Sequence, residues 1–202
     1  MLNLEQGKKA VKFARTVVEE SVKNKNKSDT KLGGVFLEKH GAFVTINTYP
    51  DHNLRGCIGI PMPVMSLKKA IEEGAESATQ DPRFPNLAEN ELNDVIVEVT
   101  VLSPPLEIMV DDPKNYLENI KIGRDGLIVE KGFYKGLLLP QVPIEQKWDK
   151  ETFLSQTCMK AGLMPDAWFD KDTKIFRFSG QVFYETSPRG DIKEKTLDGF
   201  DS

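Results

Sequence analysis

The sequence predicts an α+β fold with a mainly antiparallel sheet, flanking helices and two lobes. Helical and strand-like periodicities alternate along the chain, in the order helix, hairpin, strand, helix, strand, meander, helix, strand. Turn signals that contain glycine or proline separate the strand candidates. The chain has 202 residues, 39% apolar and 29% charged. These values are typical of a folded protein with a sizeable core.

The first element is a helix over residues 3–25, with Asn3 as its cap and an apolar stripe at helical spacing. Two strands, Gly34–Leu37 and Ala42–Thr48, are then predicted on either side of a turn. His40 lies in that turn and is expected to be exposed. The N-terminal part of the chain therefore predicts one helix packed beside a hairpin.

The run Leu54-Arg55-Gly56-Cys57-Ile58-Gly59 is the most informative stretch of the chain. In an extended strand, Leu54 and Ile58 point to one face, and Arg55 and Cys57 point to the other. A permanent positive charge beside a thiol favours the thiolate. The run therefore predicts a prepared site at which Arg55 and Cys57 act together. His52, in the preceding loop, is either a base for Cys57 or a loop histidine without function.

A helix over residues 64–79 follows, and alanines and a glycine on its apolar side allow close packing on a sheet. A strand, a glycine turn and a helix can direct a helix N-terminus at an anion, so Gly56 and Gly59 are candidate binding residues. The next segment, Asp81-Pro82-Arg83-Phe84-Pro85, is stiffened by two prolines. It is a connector that holds Asp81 and Arg83 in fixed positions near the predicted thiol site.

Residues 94–102 form the clearest strand, because alternate valines give it one wholly apolar face. Glu98 lies in the middle of the other face, where burial of a lone carboxylate is costly. We expect Glu98 to be paired, to be solvated at an edge, or to line a cleft.

The remaining chain predicts a short helix over 113–118 and a meander whose turns lie at Asp125-Gly126 and Lys131-Gly132. The meander strands are predicted at 120–122, 127–130 and 135–139. A helix over 150–161 follows, and Cys158 on its apolar side is read as a small buried hydrophobe rather than a reactive thiol. The last strand is predicted at Lys174–Glu185. Residues 1–186 are thus expected to form one domain with two lobes, and 187–202 a polar tail.

Composition excludes several function classes. The net charge of −4 argues against a broad nucleic-acid-binding surface. Two cysteines that are far apart predict neither a disulfide framework nor, with only two histidines, a metal site. Lysines and an arginine interrupt the apolar runs at the N-terminus, and no stretch is long and apolar enough for a membrane span. We expect a cytoplasmic protein with no membrane partner and no cofactor.

Five segments carry a family resemblance: Leu54-Arg55-Gly56-Cys57-Ile58-Gly59, Asp81-Pro82-Arg83-Phe84-Pro85, Val101-Leu102-Ser103-Pro104-Pro105, Leu138-Leu139-Pro140-Gln141-Val142 and Trp148-Asp149. Together they resemble the AMMECR domain family. The resemblance covers about residues 5–186. It implies an α+β fold with two subdomains, the larger built from both chain ends and the smaller from the middle, and a cleft near Arg55 and Cys57. It also implies a Memo-like or radical SAM protein as a partner, but no settled activity.

Two functional hypotheses follow. The first is a cysteine-dependent enzyme in which Cys57, Arg55 and Glu98 are catalytic. The second is a binding or scaffold module for an anionic small molecule or for the implied protein partner, with Gly56, Gly59, Asp81 and Arg83 as binding residues. In the second hypothesis the thiol does no chemistry.

Overall fold

A computed structural model describes residues 1–195 of the chain. The α-helices are α1 (Leu4–Val22), α2 (Leu67–Ala78), α3 (Tyr116–Asn119), α4 (Val142–Glu145) and α5 (Lys150–Lys160). The strands are β1 (Ala42–Thr48), β2 (Leu54–Ile60), β3 (Val95–Leu102), β4 (Leu106–Glu107), β5 (Asp125–Lys131), β6 (Tyr134–Leu138), β7 (Lys174–Glu185) and β8 (Ile192–Lys195). The strands pair in antiparallel fashion, which confirms the α+β class.

The first of two compact units comprises Met1–Leu102 together with residues 181–195. Its strands follow the order β2-β1-β3-β7-β8, and β7 contributes residues 181–185. The apolar sides of α1 and α2 pack on one face of this sheet. The valine face predicted for β3 is confirmed, because each of its valines is at most 1% exposed. These valines are Val95, Val97, Val99 and Val101.

The second unit, Ser103–Gly180, has the strand order β6-β5-β7-β4, with residues 174–180 of β7. Helix α5 packs on β5 and β6, and Phe153, Leu154 and Cys158 enter an apolar core that also contains Trp168. The β5–β6 turn is confirmed at Gly132, whose φ of 57° is the positive value that a two-residue hairpin turn requires.

Two predicted strands are wrong. Gly34–Leu37 is a short 3₁₀ helix, and Gly34 has a φ of 63°, a left-handed conformation that strands do not use. Residues 120–122 do not form a strand. They lead into a turn in which Gly123 has a φ of 84° and the Asp125 carboxylate accepts a hydrogen bond from the Lys121 N–H.

The predicted tail also contains ordered structure. Strand β8 lies within residues 187–202 and pairs with β7, and Ile192 is buried against the first core. A polar sequence with one apolar residue gives little indication of a strand, so the main-chain pairing with β7 is what makes this segment a strand. Residues 196–202 of that segment lie outside the described residues. His40, expected to be exposed, is buried with its ring Nδ1 3.2 Å from the carbonyl oxygen of Leu102.

A buried ion pair joins the two sequence segments of the first unit. Arg15 on α1 donates from Nε to a carboxylate oxygen of Glu185 on β7 at 3.0 Å, and a second guanidinium nitrogen contacts the other oxygen. The same guanidinium donates to the Val95 carbonyl, and the Glu185 carboxylate accepts from the Val97 N–H. Both charges are therefore hydrogen-bonded inside the core, as buried charges must be.

We expect Glu185→Gln to destabilise the protein by about 3–5 kcal/mol, because it leaves the buried Arg15 charge without its counter-ion. Urea unfolding monitored by circular dichroism measures the change. Glu5→Gln is the control, because Glu5 pairs with Lys8 on the surface and its loss is expected to change nothing measurable. Equal effects of the two variants would contradict the role of the pair.

Candidate functional site

Strand β2 carries the run identified from the sequence, and its two glycines are required for packing. A Cβ atom at Gly56 would collide with the carbonyl oxygen of Ala78 at the end of α2. A Cβ atom at Gly59 would lie 2.6 Å from a ring carbon of Phe43. The absence of a side chain at Gly56 thus allows the end of α2 to pack against β2, and Gly59 lies beneath the Phe43 ring. A ligand-binding role of these glycines stays a prediction.

Asp81 and Arg83 close the free edge of β2. The Asp81 carboxylate accepts a hydrogen bond from the Cys57 N–H at 2.9 Å, and Arg83 donates to the Cys57 carbonyl at 3.2 Å. Arg83 also donates to Asp81 from its main chain and its side chain. Because β2 is the outer strand of its sheet, these bonds occupy main-chain groups that would otherwise be unpaired.

The Asp81 carboxyl is strongly stabilised as an anion. The Arg83 side chain and the main-chain N–H groups of Cys57 and Arg83 hold the pKa of Asp81 well below its usual range, although burial opposes this shift. The residue is only 2% exposed. The segment between Pro82 and Pro85, together with Asp81, therefore holds the main chain of Cys57 in place through hydrogen bonds.

The strand alternation that was expected to place Arg55 beside the thiol is broken at Arg55. The register passes from the Ile46–Gly56 pair to the Asn47–Leu54 pair, so Arg55 is the extra residue of a β-bulge. Its guanidinium binds both carboxylate oxygens of Glu91, at 2.7 and 3.0 Å. The bulge also leaves Leu54 40% exposed, whereas Ile58 packs on the core as expected.

Three polar side chains form a row across β2, β1 and β3. Thr45 on β1 pairs with Cys57 on one side and with Glu98 on the other. The Thr45 hydroxyl donates to the Cys57 sulfur at 3.2 Å. Neighbouring β1 residues Val44 and Ile46 enter the helix-covered core, so the row lies on the opposite face. The sequence analysis did not identify Thr45. The signal that could have indicated it is a polar residue between the apolar Val44 and Ile46 of β1.

The Cys57 thiol is not poised as a thiolate. Burial raises its pKa, and the Glu98 and Asp81 charges act in the same direction. The Thr45 hydrogen bond and the Arg83 charge lower the pKa but do not outweigh burial. Glu91 binds Arg55 and the strand buries the sulfur, so the expectation of a thiolate beside Arg55 has little support from these contacts.

Glu98 is a half-buried carboxyl in an interior strand. Burial raises its pKa, and the positive charge of Lys195 only partly opposes this effect. Within residues 1–195, no group donates a hydrogen bond to it and no basic side chain forms an ion pair with it. The described residues therefore show Glu98 neither in an ion pair nor in a strand at the edge of the sheet.

Two other residues singled out in the sequence lie away from this chemistry. His52 is exposed in a loop, where it has a φ of 55° and an edge-on contact with Tyr49. Cys158 is buried in the second unit, and burial raises its pKa to about 11. The expectation that Cys158 is a buried hydrophobe is confirmed.

Residues 1–195 contain no group of three or more His, Cys, Asp or Glu side chains placed to hold a metal ion. In the same range, no helix has the length and apolar character needed to cross a membrane.

Comparison with known proteins places these residues in a wider context. The family model described as AMMECR1 matches residues 11–183. Protein MJ0810 of Methanocaldococcus jannaschii is 54% identical over 198 residues, which cover 98% of each chain. Protein TK0174 of Thermococcus kodakarensis is 48% identical over 201 residues, and the match covers 96% of this chain and 97% of the relative.

A solved structure is similar over nearly its full length. The crystal structure of the uncharacterized protein PH0010 from Pyrococcus horikoshii has a TM-score of 0.82 and 47% sequence identity. The match covers 96% of this chain and 98% of that one. The α+β architecture described above is thus similar to an experimentally determined one.

In a Cys158→Ser background, we expect the rate of Cys57 alkylation to rise with pH about a midpoint above the ordinary thiol pKa of roughly 8.5. Thr45→Val should raise this midpoint further, because it removes the hydrogen bond to sulfur, whereas Thr45→Ser should preserve it. Arg55→Gln, which removes the positive charge, should leave it unchanged. A midpoint below the ordinary value, or one that rises in Arg55→Gln, would support the thiolate hypothesis.

We expect Asp81→Asn to lower the free energy of unfolding at neutral pH by about 1.5–3 kcal/mol, the range for a buried hydrogen bond to a charged group. Because the folded-state pKa is depressed, this stabilisation is present above the unfolded pKa of about 3.9 and disappears as the pH falls below it. Urea unfolding at a series of pH values measures it. Asp51→Asn, at an exposed position, is the control; a constant difference down to low pH would refute the linkage.

Proposed function

The chain belongs to the AMMECR1 family, and from the geometry of its sheet we propose that it binds a small molecule on the face that carries Cys57, Thr45 and Glu98. The observation that carries the proposal is the Glu98 carboxyl. It is half-buried in an interior strand, and no described residue supplies it with a hydrogen bond. The Glu98 oxygens are not among the buried atoms that lack a partner, so they remain accessible to solvent, and a ligand that donates a hydrogen bond to them would replace water there.

The chemistry of the face favours a ligand with both polar and apolar parts. Glu98, Thr45 and Cys57 present a carboxyl with a raised pKa, a hydroxyl and a thiol, all of which are hydrogen-bonding groups. Phe43 pairs with Gly59 in the adjacent row, and its ring provides an apolar surface beside the polar row. A ligand with a carbonyl or amide group joined to an apolar part would match both surfaces.

An anionic ligand held by the two arginines has less support. Arg55 is bound by Glu91 and Arg83 by Asp81, so each positive charge already has a carboxylate partner. An anion would have to compete with those carboxylates, and displacing Asp81 would also release the edge of β2. The partnership with a Memo-like or radical SAM protein stays a prediction from the family resemblance.

A cysteine-dependent enzyme is the second candidate, because two groups with raised pKa values lie in one row. Cys57 would be the nucleophile, and Glu98 would transfer the proton. Arg55 would position the loop through Glu91 rather than act on sulfur. One strand separates the two groups, which places them about 9–10 Å apart. The proton would therefore pass through the Thr45 hydroxyl or through the substrate.

We expect small molecules extracted from the purified protein and analysed by mass spectrometry to include one retained by the wild type and by Glu98→Gln. Gln retains a side-chain oxygen that accepts hydrogen bonds and adds an amide group that donates them. Glu98→Leu should reduce retention by about ten- to a hundredfold, because it removes a hydrogen bond worth roughly 1.5–3 kcal/mol. Glu118→Gln, an exposed position on α3, is the control.

Equal retention by Glu98→Leu, or no retained compound in repeated wild-type preparations, would argue against binding at this face. The same samples separate the two candidates. An enzyme would accumulate a covalent mass on the peptide that contains Cys57, and this mass would be lost in Glu98→Gln, which cannot transfer the proton. A binding protein would show the compound without that mass.

A further inference from the structure

The polar row on β2, β1 and β3 continues onto β7, the next strand of the same sheet. The Val97 N–H on β3 donates to the side chain of Glu185 on β7, and the residue that follows β3 donates its N–H to the Ser179 carbonyl. These contacts run from 97 to 103 on one strand and from 185 to 179 on the other, so the two strands are antiparallel and keep one register. Glu98 therefore lies beside Tyr184.

Strand β8 places two lysines on the face that carries Glu98. Lys193 pairs directly with Tyr184, and Lys195 lies two positions further along β8. Phe183 enters the helix-covered core, so Tyr184 and both lysines lie on the opposite face of the sheet, as Glu98 does. The row thus spans all five strands of the first unit and ends, at β8, in positive charge.

The charges of β8 are separated between the two faces of the sheet. Glu194 lies between the two lysines, and its carboxylate accepts a hydrogen bond from the Gln181 side-chain amide at 3.0 Å. Because alternate residues point to opposite faces, Glu194 is directed away from Glu98. The Lys195 charge acts at Glu98, since it opposes the rise in the pKa of that carboxyl that burial causes. Lysines on an outer strand also discourage pairing with other chains, but that role does not require them to lie beside a candidate binding site.

We propose that Lys193 and Lys195 bind an acidic group of the ligand, a carboxylate or a phosphate, whose other polar group is held by Thr45 and Glu98. The inference rests on the function proposed above and adds the chemical class of the ligand. An ammonium group suits either acid, because it forms charge-assisted hydrogen bonds with anionic oxygens.

The strand spacing sets the length of such a ligand. β8 is two strands from β3, so the acidic group would lie about 9–10 Å from Glu98. This separation keeps the anion away from the Glu98 carboxyl, whose charged form would repel it. The Tyr184 side chain lies between the two ends and offers an aromatic surface to an apolar part of the ligand. An elongated acid therefore matches the row better than a compact anion.

The lysines differ from the two arginines near Cys57. Arg55 and Arg83 each form an ion pair with a carboxylate, whereas neither lysine forms one within residues 1–195. An anion bound at β8 therefore competes with no carboxylate in the described part of the chain. It also leaves the hydrogen bonds at the edge of β2 intact.

Negative-ion mass spectrometry of compounds extracted from the purified full chain tests the proposal. We expect the wild type to retain a compound whose fragmentation releases carbon dioxide, which identifies a carboxylate, or a phosphate ion. The double variant Lys193→Gln/Lys195→Gln should lower its retention by about tenfold or more, because the charge-assisted hydrogen bonds are lost. Lys9→Gln/Lys12→Gln is the matched control, because it removes two exposed lysines of α1, on the other side of the sheet.

A retained compound without an acidic group, or equal retention by Lys193→Gln/Lys195→Gln and its control, would overturn the inference. In either case, a loss of retention in Glu98→Leu would leave the proposed binding function standing. If Glu98→Leu also retained the compound, or if the wild type retained none, both proposals would fail. Circular dichroism checks that each variant is folded, which we expect because both lysines of β8 are exposed.

Discussion

An arginine and a glutamate that are 170 positions apart in the chain share one buried site in the first unit. The pair of Arg15 and Glu185 joins the N-terminal helix to a strand from the other end of the sequence, and it also binds main-chain groups of Val95 and Val97. Glu98 follows directly in β3. The orientation of the candidate site therefore depends on a contact in the core on the other side of the sheet.

Charged side chains near β2 bind its main chain and one another. Asp81 and Arg83 close the edge of β2, and Glu91 binds Arg55 at the bulge. Both arginines near the thiol are thereby paired with carboxylates. What remains on the open face of β2, β1 and β3 is a neutral thiol, a hydroxyl and a carboxyl with a raised pKa. This electrostatic character favours hydrogen-bonded recognition over resting thiolate chemistry.

Elements with strong local signals follow the sequence closely. The capping box of Asn3 and Gln6 begins α1, and alternating valines form β3 with one face wholly buried. Both signals are local, so neighbouring residues alone are enough to predict them. The strand predicted at Gly34–Leu37 is a 3₁₀ helix because Gly34 is left-handed, and β8 lies in the predicted polar tail because it pairs with a distant strand.

The sequence by itself determined the α+β class, the main helices and strands, the family resemblance, and the importance of residues 54–59. Only the tertiary structure decided which side chains meet there. One extra residue at the bulge turns Arg55 to Glu91, and antiparallel register brings Thr45 between Cys57 and Glu98. Register and bulges arise from pairing between distant segments, and side-chain periodicity within one strand carries no information about them.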